Sequence, residues 1–65
     1  MSVKESFQQA QAEYENVVFV FNFDENGYEF NDVDEALEYA KEEKLHDVMW
    51  VNNRNNQIYG GMYFN

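Results

Sequence analysis

The sequence predicts a single α+β domain with element order α-β-β-α-β-β. Its four strands form one antiparallel sheet of order 2-1-3-4, with two helices packed mainly on one face. Three observations lead there. Two segments, Ser2–Glu15 and Asp32–Lys44, repeat apolar residues with helical period. Two others, Val17–Phe23 and Asp47–Asn53, are apolar on both faces for much of their length, as centrally placed strands are. Each of these runs into a polar turn that leads to another strand, so two hairpins flank the second helix. At 65 residues, residues 1–65 hold one domain and no more.

The first helix places Val3, Phe7, Ala10 and Tyr14 on one side. Ser2 and Glu5 have capping-box spacing, and Asn16 suits the left-handed conformation that stops a helix. In Val17–Phe23, Val17, Phe19, Phe21 and Phe23 point one way, and Val18, Val20 and Asn22 the other. Asn26-Gly27 reads as a two-residue hairpin loop, which pairs Phe23 with Phe30 and Asn22 with Asn31 and sets Asp24 against Glu29. Asn22, Asp24, Asn26 and Gly27 also match the front half of a calcium-binding loop. Val33 stands where the bidentate Glu belongs, so no metal site is expected.

The second helix buries Val33, Ala36, Leu37 and Ala40, and Asp32 with Glu35 can cap it. Its outer face is nearly one-signed. Glu35, Glu38 and Glu42 recur at i, i+3 and i+7, and Asp34–Glu38 and Glu38–Glu42 are like-charged i,i+4 pairs, each costing a few tenths of a kcal/mol. His46 follows the helix C-terminus, where a cation is favoured. In the second hairpin, an Arg54-Asn55 turn would set Val51 against Ile58 and Trp50 against Tyr59, and Gly60-Gly61 signals a bulge or a close backbone approach. With both helices on the Phe19–Phe23 face, the second face is expected to be Val18, Val20, Val48, Trp50, Tyr59 and Tyr63, uncovered. If the first helix packs there instead, that patch disappears.

Composition excludes much. There is no Cys and one His, which removes disulfides, thiolate sites and multi-His zinc sites. No run has the length of a membrane span or the form of a signal peptide. Ser2 and Ser6 are the only serines, and no nucleophilic triad or phosphate-binding glycine loop is readable. No enzyme and no cofactor are expected. The net charge is −9. Residues 24–47 hold ten acids against Lys41 and Lys44, a local −8, while residues 48–65 carry only Arg54. Such a charge repels nucleic acid and anionic membrane and attracts basic protein surfaces.

The expected function is a small acidic protein-binding module that occupies a basic or nucleic-acid-binding surface of a partner protein. The acidic ridge Asp24, Glu25, Glu29, Asp34, Glu35, Glu38 and Glu42 would present charge somewhat as a nucleic-acid backbone does. Size, acidity and lack of cysteine are similar to small phage-encoded inhibitors of host enzymes or defence nucleases, acting in the host cytoplasm; no motif assigns the chain to a family. The alternative is a homo-oligomeric accessory protein, such as a dimer, that associates through an aromatic face containing Val18, Val20, Trp50, Tyr59 and Tyr63.

Overall fold

The structure, a computed structural model, describes residues 2–22 and 27–64. Its elements are α1 (Val3–Glu13), β1 (Val17–Phe21), β2 (Tyr28–Phe30), α2 (Val33–Glu42), β3 (Asp47–Asn52) and β4 (Ile58–Tyr63). The sheet is antiparallel throughout, in the order β2-β1-β3-β4. The expected α+β fold is therefore the observed one.

Local chemistry accounts for the helix ends. The Ser2 hydroxyl accepts from the Glu5 amide at 3.1 Å, and the Ser2 amide donates back to the Glu5 carboxylate, which completes the capping box. Asp32 caps α2 by accepting from the Glu35 amide at 3.0 Å. At the other end of α2, Lys44 takes φ 53°, its amide donates to the Lys41 carbonyl, and the Leu45 amide donates to the Ala40 carbonyl. This is a Schellman motif with Lys where Gly is usual, and Leu45 packs into the core behind it. α1 ends two residues before Glu15. Asn16 does take positive φ, in the connection to β1 rather than as the helix cap.

Both helices lie on the face of β1 that carries Phe19 and Phe21. Phe7, Phe19 and Phe21 are the largest fully buried side chains, joined there by Ala10, Val33, Ala36, Ala40 and Val48. Phe7 of α1 stacks on Phe19 at 4.7 Å. Burying one such ring contributes about 2–3 kcal/mol, which lets a short chain without disulfides hold a core. Gln11 donates to the Asn31 carbonyl at 2.9 Å and Lys4 pairs with Asp34 at 3.2 Å, tying α1 to the start of α2.

Two registers differ from expectation. Phe30 opposes Phe19, Glu29 opposes Val20 and Tyr28 opposes Phe21, and the Gly27 amide donates to the Asn22 carbonyl, so the hairpin does not turn on a two-residue Asn26-Gly27 loop. The expected opposition of Asp24 and Glu29 does not occur, because Glu29 faces a valine. Phe23, Asp24, Glu25 and Asn26 lie outside the described residues.

In the second hairpin Val51 does oppose Ile58, but Trp50 opposes Gly60, leaving Tyr59 as a bulge. The glycine pair is explained by the approach it permits. A Cβ on Gly60 would sit 3.0 Å from Trp50 Nε1, and one on Gly61 only 2.6 Å from the Val48 carbonyl oxygen.

These registers correct the composition of the two faces. Trp50 opposes Phe19, so it lies on the helix-covered face, with Val48 and Met62. The other face carries Val18, Val20, Met49 and Val51. No described helix covers it. Even so, Val18, Val20 and Val51 are only 3–5% exposed. They pack with Met49, and Gly27 lies against Val20.

Candidate functional site: an acidic helix face beside an aromatic depression

α2 rests its alanine stripe on the sheet and turns Asp34, Glu35, Glu38 and Glu42 to solvent. All four acidic residues expected on this helix are thus exposed. Asp34 is engaged by Lys4, the one ion pair among the described residues, and both partners are well exposed. Glu35, Glu38 and Glu42 have no ion pair among the described residues. Glu29 stands apart from them. Opposing Val20, it belongs to the valine face, on the far side of the sheet from α2. Asp24 and Glu25 fall outside the described residues.

The three free glutamates surround something the sequence reading did not single out. With Phe30 and Tyr39 they line a shallow depression of about 240 Å³. Tyr39 is the centre of an aromatic cluster, with Phe30 at 5.0 Å, Tyr28 at 5.4 Å and Phe21 at 5.6 Å. Desolvation among these rings pushes the Tyr39 phenol above its ordinary value of 10, and the Tyr28 and Glu43 charges act in the same direction. The ring is therefore neutral at physiological pH. The signal was present in the chain: Glu35, Glu38, Tyr39 and Glu42 fall at i, i+3, i+4 and i+7, one stripe of a helix. The depression combines carboxylates with aromatic faces, a pairing suited to a guanidinium or ammonium group.

The residues expected to form an aromatic sheet face are dispersed. Val18 and Val20 are buried on the valine face. Trp50 is half-buried under α1, edge-on to Phe7 at 6.2 Å and to Phe19 at 6.4 Å. Beside it, Ser6, Gln9, Glu13, Tyr14 and Met62 complete a groove of about 250 Å³ between α1 and the β3–β4 hairpin.

Tyr59 is occupied in structural work. Its ring stacks on Tyr14 at 4.4 Å, its hydroxyl donates to the Glu15 carbonyl at 2.8 Å, and it accepts from Asn52 Nδ2 at 2.8 Å. Asn52 is the one buried polar side chain among the described residues, and its Oδ1 also accepts from the Arg54 and Asn55 amides of the turn. Of the five residues, only Tyr63 projects into solvent, at 86% exposure.

Comparison with known proteins finds no relative: no family model matches the chain, and no curated protein or solved structure matches it. No described helix is long and apolar enough to cross a membrane.

Proposed function

We propose that the protein is a non-enzymatic binding module that sets the outer face of α2 against a basic surface of a partner protein. The observation that carries this reading is the group Glu35, Glu38 and Glu42, without ion pairs among the described residues, around the Phe30–Tyr39 depression. A helix face made for solubility interleaves signs, whereas this one keeps like-charged neighbours. An Arg or Lys side chain of the partner would meet carboxylates at the rim and ring faces on the floor, a contact worth about 0.5–2 kcal/mol for the cation–π part.

Basic protein surfaces are commonest where nucleic acid binds, so a nucleic-acid-binding enzyme is the proposed class of partner and inhibition by occupancy the proposed effect. A phage-type inhibitor acting in a host cytoplasm fits this chemistry. The chain itself does not bind nucleic acid directly, given 13 acidic against 4 basic residues.

The test joins capture of the partner from the native host to a charge-neutralised variant. Glu35→Gln, Glu38→Gln and Glu42→Gln together are expected to weaken binding at least tenfold at low salt, and to flatten its dependence on salt. Unchanged affinity with an unchanged salt slope would eliminate this use of α2.

A further inference from the structure

The strand order leaves β2 and β4 as the edges of the sheet. Natural edges are kept from pairing with other chains by being short, charged or interrupted by proline. β2 has two of these protections, being three residues long with an exposed Glu29. β4 has six residues, and from Asn55 to Asn65 the sequence contains no charged side chain and no proline. The bulge at Tyr59 disturbs only its beginning.

The backbone groups that β4 leaves open follow from its register. Phe64 donates its amide to the His46 carbonyl at 2.7 Å, which makes residues 46 and 64 a hydrogen-bonded pair. Antiparallel pairs alternate, so the amides and carbonyls of residues 60, 62 and 64 point at β3. Those of Gly61 and Tyr63 point away from the sheet.

We propose that β4 pairs antiparallel with β4 of a second copy of this chain, about a two-fold axis at Gly61, to give a continuous eight-stranded sheet. Pairing Gly61 with its own counterpart brings the outward groups of both copies together with no side chain at the centre. It also answers a feature of the valine face. Above Gly61 lies a depression of about 340 Å³, bordered by Asp47, Met49, Ile58 and Tyr63. In the two-fold pairing, Tyr63 of the second copy is the diagonal neighbour of Gly61 on this same face. Its ring, otherwise 86% exposed, would cover the glycine, and Ile58, 50% exposed, flanks the junction.

The Tyr63 ring that would cover Gly61 comes from this chain's own β4, which selects a second copy as the occupant, and the charge distribution permits its approach. Two chains of net charge −9 repel wherever their acidic segments meet. α2 packs over β1 and β2, at the opposite side of the sheet from β4. At about 4.8 Å per strand, the two α2 helices of the paired form would lie ~30 Å apart, several Debye lengths at physiological salt. The neutral edge is where two such chains can approach.

Sedimentation equilibrium from about 10 µM to 1 mM, the range of weak interfaces, tests this. The wild type is expected to move from monomer toward dimer, and to do so at lower concentration in high salt, because salt screens the residual repulsion. Salt weakens the proposed α2 contact, so the two readings fail separately. The Glu35, Glu38 and Glu42 replacements should leave the dimer intact or tighten it.

Tyr63→Pro removes one outward amide per copy without touching the β3 ladder, and is expected to raise the dimer dissociation constant by about thirtyfold. Tyr63→Lys supplies the missing edge charge and decides the matter if the proline variant loses its circular dichroism spectrum. Amide exchange at Gly61 and Tyr63 should slow as concentration rises. A wild type that stays monomeric at 1 mM in high salt overturns the proposal. So does a dimer that survives Tyr63→Lys, or one abolished by Met49→Lys on the valine face and not by the Tyr63 variants.

Discussion

Replacing Asn52 by Ala is expected to cost about 2–3 kcal/mol. The side chain is 8% exposed and makes three hydrogen bonds: Nδ2 to the Tyr59 hydroxyl at 2.8 Å, and Oδ1 from the amides of Arg54 at 2.8 Å and Asn55 at 3.3 Å. Each such bond contributes about 1 kcal/mol net, and water can compensate only at the turn amides. Tyr59→Phe removes the bonds to Asn52 and to the Glu15 carbonyl while keeping the ring on Tyr14, so about 1–2 kcal/mol is expected. The Nδ2–hydroxyl bond is lost in either single variant. The double variant should therefore cost about 1 kcal/mol less than the sum of the two.

Asn52→Asp is the sharper probe. It keeps the acceptor for the turn but sets an oxygen against the phenol oxygen, so the Tyr59 proton must leave the Glu15 carbonyl. Urea unfolding followed by circular dichroism, with Trp50 fluorescence as a second probe, measures the wild type and all four variants. The whole domain holds about 3–10 kcal/mol, and each kcal/mol lowers Tm by about 4–8 °C. Strictly additive costs, or an Asn52→Ala cost below about 0.5 kcal/mol, would refute the account of this network.

Two further predictions concern backbone geometry. Gly61→Ala should destabilise by about 2–3 kcal/mol, because its Cβ meets the Val48 carbonyl, whereas Gly60→Ala should cost about 1 kcal/mol or less and shift Trp50 fluorescence, because an indole can move; denaturant titration of the pair checks the order. Lys44→Gly should stabilise by about 0.5 kcal/mol, since relief of the left-handed strain exceeds the entropy and dipole terms that Lys supplies. A fall in Tm for that variant would contradict the Schellman assignment.

The order of elements was legible because it rests on local signals: period, caps and turn residues. The central position of β1 and β3 was legible because both are apolar on two faces. Face composition was not legible, since it depends on registers that a single residue can invert. Tyr59 is that residue in the second hairpin. Once it bulges, Met62 joins the helix side, and Tyr63 turns to the valine side. In the first hairpin the Asn-Gly signal favoured a turn centred on Asn26-Gly27, yet Phe21 pairs with Tyr28 and Phe19 with Phe30, a register in which Phe30 joins the Tyr39 cluster. Tertiary packing of aromatics outweighed local turn preference.

On the site itself, the glutamate stripe of α2 was evident from spacing. Its aromatic floor was not, because Phe30 comes from a different element. Asn52 escaped notice because the sequence presents it as one more polar residue before a turn.

The bond from Tyr59 to the Glu15 carbonyl spans 44 residues. It bears on the timing of folding as well as on its outcome. β3 and β4 form a hairpin from near neighbours, but β1 reaches β3 only after the chain through β2 and α2 has closed into a loop, an entropic cost met before any reward. A contact that needs both pairings in place forms on the native side of that barrier. Cutting it should leave the folding rate nearly unchanged and quicken unfolding. The Tyr59–Glu15 clasp then sets how long a folded molecule lasts, rather than how fast it is made.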